Sequence, residues 1–344
     1  MNITYLIGNG FDINLGLDTR FTDFYKYYLK IESPNEFINK FKENELIRNA
    51  EKWADLELEL GKYMQEYTEN ELDDIINLLI DLQNNLCDYL DLECKKISNY
   101  QIYKEKIIHD LFNPEIYLDS RQKQNLSSYK SSFNAQNHNI NIITFNYTKT
   151  IENILSWNNL KIQCSERKYD NKTLSNNLLT IEHIHGTTED SMLLGVNDSD
   201  QINNNTLKNN NRLRYYLVKT VMNVNTGSRR EEICNTRIHE SDLIVVFGMS
   251  IGKTDKYWWE TVLKRISGSN ARLIIYYKTE EIPKRRIQIK QLYIDDVYKI
   301  LQSYVNINNI NIDAIKSKIF VSINSEMFSF KEVKFEQEVI LKVS

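Results

Sequence analysis

The chain has 344 residues, 41% of them hydrophobic and 11% aromatic, which is enough for a sizeable core and excludes a disordered chain. Only 10 Gly and 3 Pro exclude collagen-like and Pro-rich designs and favour long helices over a many-stranded sandwich. Lys and Arg number 43 against 47 Asp and Glu, a net charge of −4, so bulk charge gives no support to tracking a nucleic-acid backbone.

In chain order, the β-rich run Ile3 to Ile7 predicts a first strand that stops at Gly8. Residues 20 to 135 then change character. Phe21 to Tyr28 predicts an aromatic helix, Trp53 to Leu60 starts another, and Leu72, Ile75, Ile76, Leu79 and Ile80 place a helical period within 71 to 98. This stretch reads as a long helical insert. Residues 139 to 145 predict a second strand ending at Asn146, and Leu179 to His185 a third ending at Gly186. The Asn-, Asp- and Ser-rich stretch 197 to 211 reads as a mobile loop. Asp242 to Phe247, Ala271 to Tyr277 and Lys318 to Ile323 complete six strands.

Several runs are continuously apolar, the pattern of strands covered on both faces. The fold class is therefore α/β, a mostly parallel Rossmann-like sheet with a large helical insert after the first strand. The expected organisation is one α/β domain, 1–344, with the insert at about 20–135. The strand pattern starts without a basic n-region or cleavage site, so no signal peptide is expected. Leu243 to Met249 is too short an apolar run to cross a membrane. Cys87, Cys94, Cys164 and Cys234 show no CxxC pairing, so they read as reduced thiols of a cytoplasmic protein, with no structural zinc site.

In open parallel sheets ligands bind beyond the carboxyl ends of the strands. Four polar or Gly-rich segments lie there: Gly8-Asn9-Gly10-Phe11-Asp12, Asn146-Tyr147-Thr148, His185-Gly186-Thr187 and Gly248-Met249-Ser250. Glycines after a strand let backbone approach a phosphate or ribose, although neither the dehydrogenase fingerprint nor a Walker lysine follows here. Asp12 is an N-cap, or a ribose or catalytic contact. Asn146 is a cap, or its amide orients water or a ribose hydroxyl. His183 and His185, two apart on a strand, share a face. His185 at a strand end suits a general base. Asp255 caps the helix carrying Trp258 and Trp259, or faces the cleft. Asp55 and Glu57 fit the first turn of a helix. Lys284, Arg285, Arg286 and Lys290 read as a solvated basic face.

Tyr5-Leu6-Ile7-Gly8-Asn9-Gly10-Phe11-Asp12 with Gly16-Leu17 resembles the opening of the AbiH family of bacterial abortive-infection proteins, implicated in phage resistance. Trp53 with Asp55, Leu56 and Glu57, then Thr144 to Thr148, His183 to Gly186, and Phe247 to Ser250 with Asp255 fit that family too. More remotely the landmarks are similar to sirtuin-like domains, in the same order along the chain. Thr148 stands in place of the sirtuin aspartate, Asp18 in place of the proline, and the zinc-binding Cys pairs of deacylases are missing. The resemblance implies hydrolysis of NAD at the nicotinamide–ribose bond, with NAD as substrate and no metal. It gives Asn146 and His185 catalytic roles. Gly8, Asn9, Gly10, Asp12, Gly248, Ser250 and Asp255 would hold the nucleotide. A phage-derived trigger and an oligomer are compatible with it, whereas a membrane or nucleic-acid partner is not indicated. Two other readings stay open: a metal-dependent nuclease or nucleotide-processing enzyme using Asp12, Asp55, Glu57 and Asp255, and a non-catalytic nucleotide-sensing module.

Overall fold

A computed structural model describes residues 1–43, 55–305 and 310–330. Seven strands form one sheet: β1 (Asn2–Ile7), β2 (His138–Thr144), β3 (Ile162–Tyr169), β4 (Lys172–His183), β5 (Leu243–Phe247), β6 (Arg272–Tyr277) and β7 (Ile319–Ile323). Their order is β3-β4-β2-β1-β5-β6-β7. Only β3 and β4 pair antiparallel; every other neighbouring pair is parallel. The chain builds outward from β1 first on one side and then on the other. The reversal therefore falls between β1 and β5, as in doubly wound sheets.

The six expected strands are all present, and their continuous apolar runs have the expected cause. Along β1 and β5, Tyr5, Ile7, Val245 and Phe247 enter one core, while Leu6, Ile244 and Val246 enter another on the opposite face. Helices Lys104–Phe112, Ser120–Ser131 and Thr150–Leu155 cover the first face. Helices Arg230–His239, Lys256–Ser267 and Ile289–Val305 cover the second. A strand buried on both faces has no polar side to alternate with.

Three expectations need correction. First, β3 was not foreseen, because its polar sequence faces solvent along much of the edge hairpin. Second, the helical insert stands between β1 and β2 as expected, but its helices divide between two cores. Helices Phe21–Tyr28, Glu36–Glu43, Leu56–Tyr63 and Leu72–Cys94 form a separate third core, joined by Met192, Leu194, Leu213 and Leu217 from much later in the chain. Helices from Lys104 onward belong to the sheet. Third, residues 197 to 211 are pinned rather than loose. They form two short 3-10 turns, Ser199–Gln201 and Leu207–Asn209, and bury Ile202 and Leu207 in that third core. The Asn204 amide donates to the carbonyls of Met64 and Tyr67 at 3.0 and 2.9 Å. Asn content here serves local capping, not freedom.

Trp53, expected at the start of the second helix, lies outside the described residues. All four Cys are free, and Cys87 and Cys94 share the helix Leu72–Cys94 as their spacing predicts. Arg285, Arg286 and Lys290 are exposed. No described helix is long and apolar enough to cross a membrane.

Candidate active site at the strand ends

Parallel register aligns the carboxyl ends. Ile7 of β1 pairs with Thr144 of β2 and Phe247 of β5, and Thr144 pairs with His183 of β4. The ladder runs one residue further: Phe145 N–H donates to Ile7 O at 2.8 Å and Gly8 N–H to Phe247 O at 2.9 Å. Thus the four segments singled out in the sequence leave the sheet side by side.

At the reversal the two glycine loops lie against each other. The Gly10 N–H donates to Gly248 O at 2.9 Å. A Cβ on Gly10 would sit 2.5 Å from Gly248 Cα, and Gly248 has φ +67°. The close backbone approach that these glycines permit is therefore to each other, and the Gly8 and Gly10 amides are already engaged. Neighbouring Asn9 is engaged as well, its amide donating to Thr19 O at 2.9 Å while Thr19 Oγ1 donates back at 2.5 Å. Because the opposing atoms are backbone, Gly10→Ala is expected to lose about 1–3 kcal/mol of stability, read as a lowered urea midpoint at unchanged slope. An unshifted midpoint would show that the two loops move apart freely.

Asp12 is not the helix cap; Asn9 holds that position in Gly10–Asn14. Asp12 is buried, and its two oxygens accept from Thr148 Oγ1 at 2.5 Å and Thr150 Oγ1 at 2.6 Å. Burial pushes its carboxyl up to about 6, against the pull of the two hydroxyls. Asp12 thus ties the β1 end to the β2 end.

β4 stops at His183, so the period-two rule ends there and the two histidines part. His183 contacts the Asn146 carbonyl through Nδ1 at 2.8 Å and Glu152 Oε1 through Nε2 at 2.5 Å. His185 instead packs edge-on to Phe145, ring centres 5.7 Å apart, and beside Tyr147. Burial, with Lys219 nearby, holds its pKa well below the usual imidazole range, so it is neutral at physiological pH. Its Nδ1 is buried with no partner. Asn146 is 6% exposed. Both polar atoms of its side-chain amide are buried and unpartnered, so it caps nothing. An unsatisfied buried polar group costs about 1–3 kcal/mol, and such a group marks a place where a ligand or water belongs.

Around the Tyr147 side lies a buried charge cluster. Glu57, 8% exposed, accepts from Tyr147 at 2.9 Å and from Lys219 Nζ at 2.6 Å. Glu57 is in the first turn of Leu56–Tyr63, as its spacing suggests, yet it binds a buried lysine as well as favouring the dipole. Asp255 sits at the N-cap of Lys256–Ser267 without capping it through its side chain. Its carboxyl is pushed up to about 7, chiefly by burial and further by Glu57 and Asp55, against the opposing pull of Lys219. Ser250 is exposed, and its carbonyl accepts from Trp259 Nε1 at 3.3 Å. Lys219 was missed in the sequence. Its one signal is a lysine between Leu217-Val218 and Val221-Met222. Among the described residues no three His, Cys, Asp or Glu side chains gather as a metal-holding group.

The strand order and the polar cluster at its reversal define a doubly wound α/β protein with its candidate site at the switch point. The chain belongs to the bacteriophage abortive infection AbiH family, whose model matches residues 4–277. The match runs from β1 to the end of β6 and takes in every residue of the site. Membership supports a role in abortive infection against bacteriophage. No curated protein matches the sequence.

Proposed function

We propose that this chain acts in abortive infection by hydrolysing NAD at the nicotinamide–ribose bond. The observation that carries the reading is the Asn146 amide, buried and unpartnered on both atoms, together with the unpartnered Nδ1 of His185, whose ring packs against the two neighbours of Asn146 in the chain, Phe145 and Tyr147. The resemblance of the strand-end segments to sirtuin-like domains supplies the substrate class, which is an argument from analogy.

Nicotinamide leaves as a neutral group, so departure needs no strong acid. What remains resembles an oxocarbenium ion, a strong electrophile. Water attacking it needs orientation and a weak base. The Asn146 amide orients the water, and neutral His185 accepts its proton at Nδ1. A neutral imidazole of low pKa suffices because the electrophile is so reactive. The Asp255 carboxylate, once ionised, stabilises the positive charge developing on the ribose. Asp12 and the glycine pair set the distance between strand ends, and Ser250 is the exposed group available to the rest of the nucleotide. The test is release of nicotinamide and ADP-ribose from NAD by purified protein, alone and with phage lysate as trigger. Release in either condition supports the reading; none in both removes it.

Asp255 also gives a pH signature. Its folded pKa of about 7 lies above the ordinary 3.8. Between those values the folded state holds a proton that the unfolded state releases, so stability falls as pH rises through that window. Asn mimics the protonated form at every pH. Asp255→Asn is therefore expected to melt like the parent at about pH 4 and increasingly above it toward about pH 8. A melting difference that stays flat with pH would show that Asp255 is ionised throughout.

A further inference from the structure

A cavity of about 480 Å³ opens at the end of the sheet opposite the strand-end segments, within the range of about 300–1,000 Å³ usual for small-molecule sites. It lies at the amino end of β2, where His138 begins the strand and pairs in register with Asn176 of β4. Its apolar wall is Ile108 and Phe112, its polar groups include His138, Asn176, Arg167 and Lys130, and Glu105 is the one carboxylate in its lining.

Three of these polar side chains carry buried atoms without a partner: His138 Nε2, Asn176 Oδ1 and Arg167 Nε. His138 is only 8% exposed. Its pKa is pushed down to about 3, first by burial and then by Arg167, Lys130 and the N-terminal amine, so it is neutral and the surroundings are electropositive. Lys130 is answered by Glu115 at 2.7 Å. Among the described residues no carboxylate pairs with Arg167. Its terminal nitrogens donate to the backbone carbonyls of Asn134, Phe133 and Gln136, which fixes the guanidinium and leaves its charge uncompensated. A fixed cation, two buried hydrogen-bonding groups and an apolar wall call for a small anion with a flat polar ring.

We propose that this cavity binds a nucleoside monophosphate, with the phosphate toward Arg167, the base against Phe112 and Ile108, and polar ring atoms toward His138 and Asn176. The site is separate from the strand-end site, and its occupancy does not depend on what reaction that site performs.

The test is calorimetric titration of the full chain with AMP, GMP, CMP and UMP, beside adenosine and inorganic phosphate as separate arms. At least one monophosphate is expected to bind. Its nucleoside and free phosphate should each bind about tenfold or more weakly, because the charge-assisted contact and the ring contact then act alone. Arg167→Gln should lower the monophosphate to the level of the nucleoside. Arg167 also holds the chain at 133–136, so that variant is read only where its thermal melt matches the parent. Asn176→Phe fills the cavity from a strand position, where an aromatic suits the backbone, and should abolish binding. The proposal is overturned if no monophosphate binds up to millimolar concentration. It is equally overturned if binding survives intact in folded Asn176→Phe, since the ligand then sits elsewhere.

Discussion

Asn146→Ala is expected to lower NAD cleavage by about 10² to 10⁴-fold while leaving the protein as stable as the parent or more so. The two halves of that result come from one fact. Both side-chain amide atoms of Asn146 are buried without a partner, whereas its backbone carbonyl holds His183. Alanine keeps the carbonyl and removes only the unsatisfied amide, relieving a desolvation penalty in the empty protein. A structural asparagine would behave in the opposite way, losing stability together with activity. A residue held in the wrong environment for stability and the right one for chemistry shows the trade expected of a working site. Nicotinamide release and a thermal melt on the same preparation separate the cases. His185→Ala should follow the same pattern, since Nδ1 is unpartnered as well. Full activity in both variants would end the proposed reaction, and lost stability with lost activity would return both residues to the core.

Lys219→Met should carry the largest stability penalty. Lys219 and Glu57 are both buried, and the ammonium meets the carboxylate at 2.6 Å. Removing the lysine leaves the buried Glu57 carboxylate with only Tyr147 as donor. Breaking a buried pair from one side costs about 3–5 kcal/mol, much of it the orphaned charge. Glu57→Gln in the same chain removes that charge, so the double variant should regain a large part of the loss. Urea unfolding of the parent, both singles and the double closes the cycle. A double variant no more stable than Lys219→Met would show that packing, not charge, explains the single.

The sheet was legible because apolar runs buried on both faces have one simple signature, and the residues just after each run then follow from the rule for parallel sheets. The sequence alone therefore brought Gly10, Asp12, Asn146, His185 and Gly248 together. What it hid has physical reasons. β3 is an edge strand with little apolar content. Its clue was the turn rather than the strand: Asp170 and Asn171 have φ of 46° and 59°, the tight hairpin corner that Asp and Asn accept. Lys219 hid because a buried cation is visible only beside its anion, and Glu57 lies 162 residues away. The apparent His pair failed because the strand ended two residues sooner than the apolar pattern suggested. The glycines were placed correctly, but their crowding is backbone against backbone, which a sequence cannot display.

β1 is the first strand made, yet it lies mid-sheet. The Asn2 amide donates to Asp242 Oδ2 at 2.7 Å across 240 residues of chain. On the ribosome, at about 5–20 residues per second, that interval lasts about 10–50 s. Until β5 emerges, Gly8 and Gly10 have no Gly248 loop to lie against, Asp255 does not exist, and the site is missing one wall. Translating ribosomes therefore carry only copies in which the strand-end site is incomplete, and each molecule closes that site after most of its length has been synthesised.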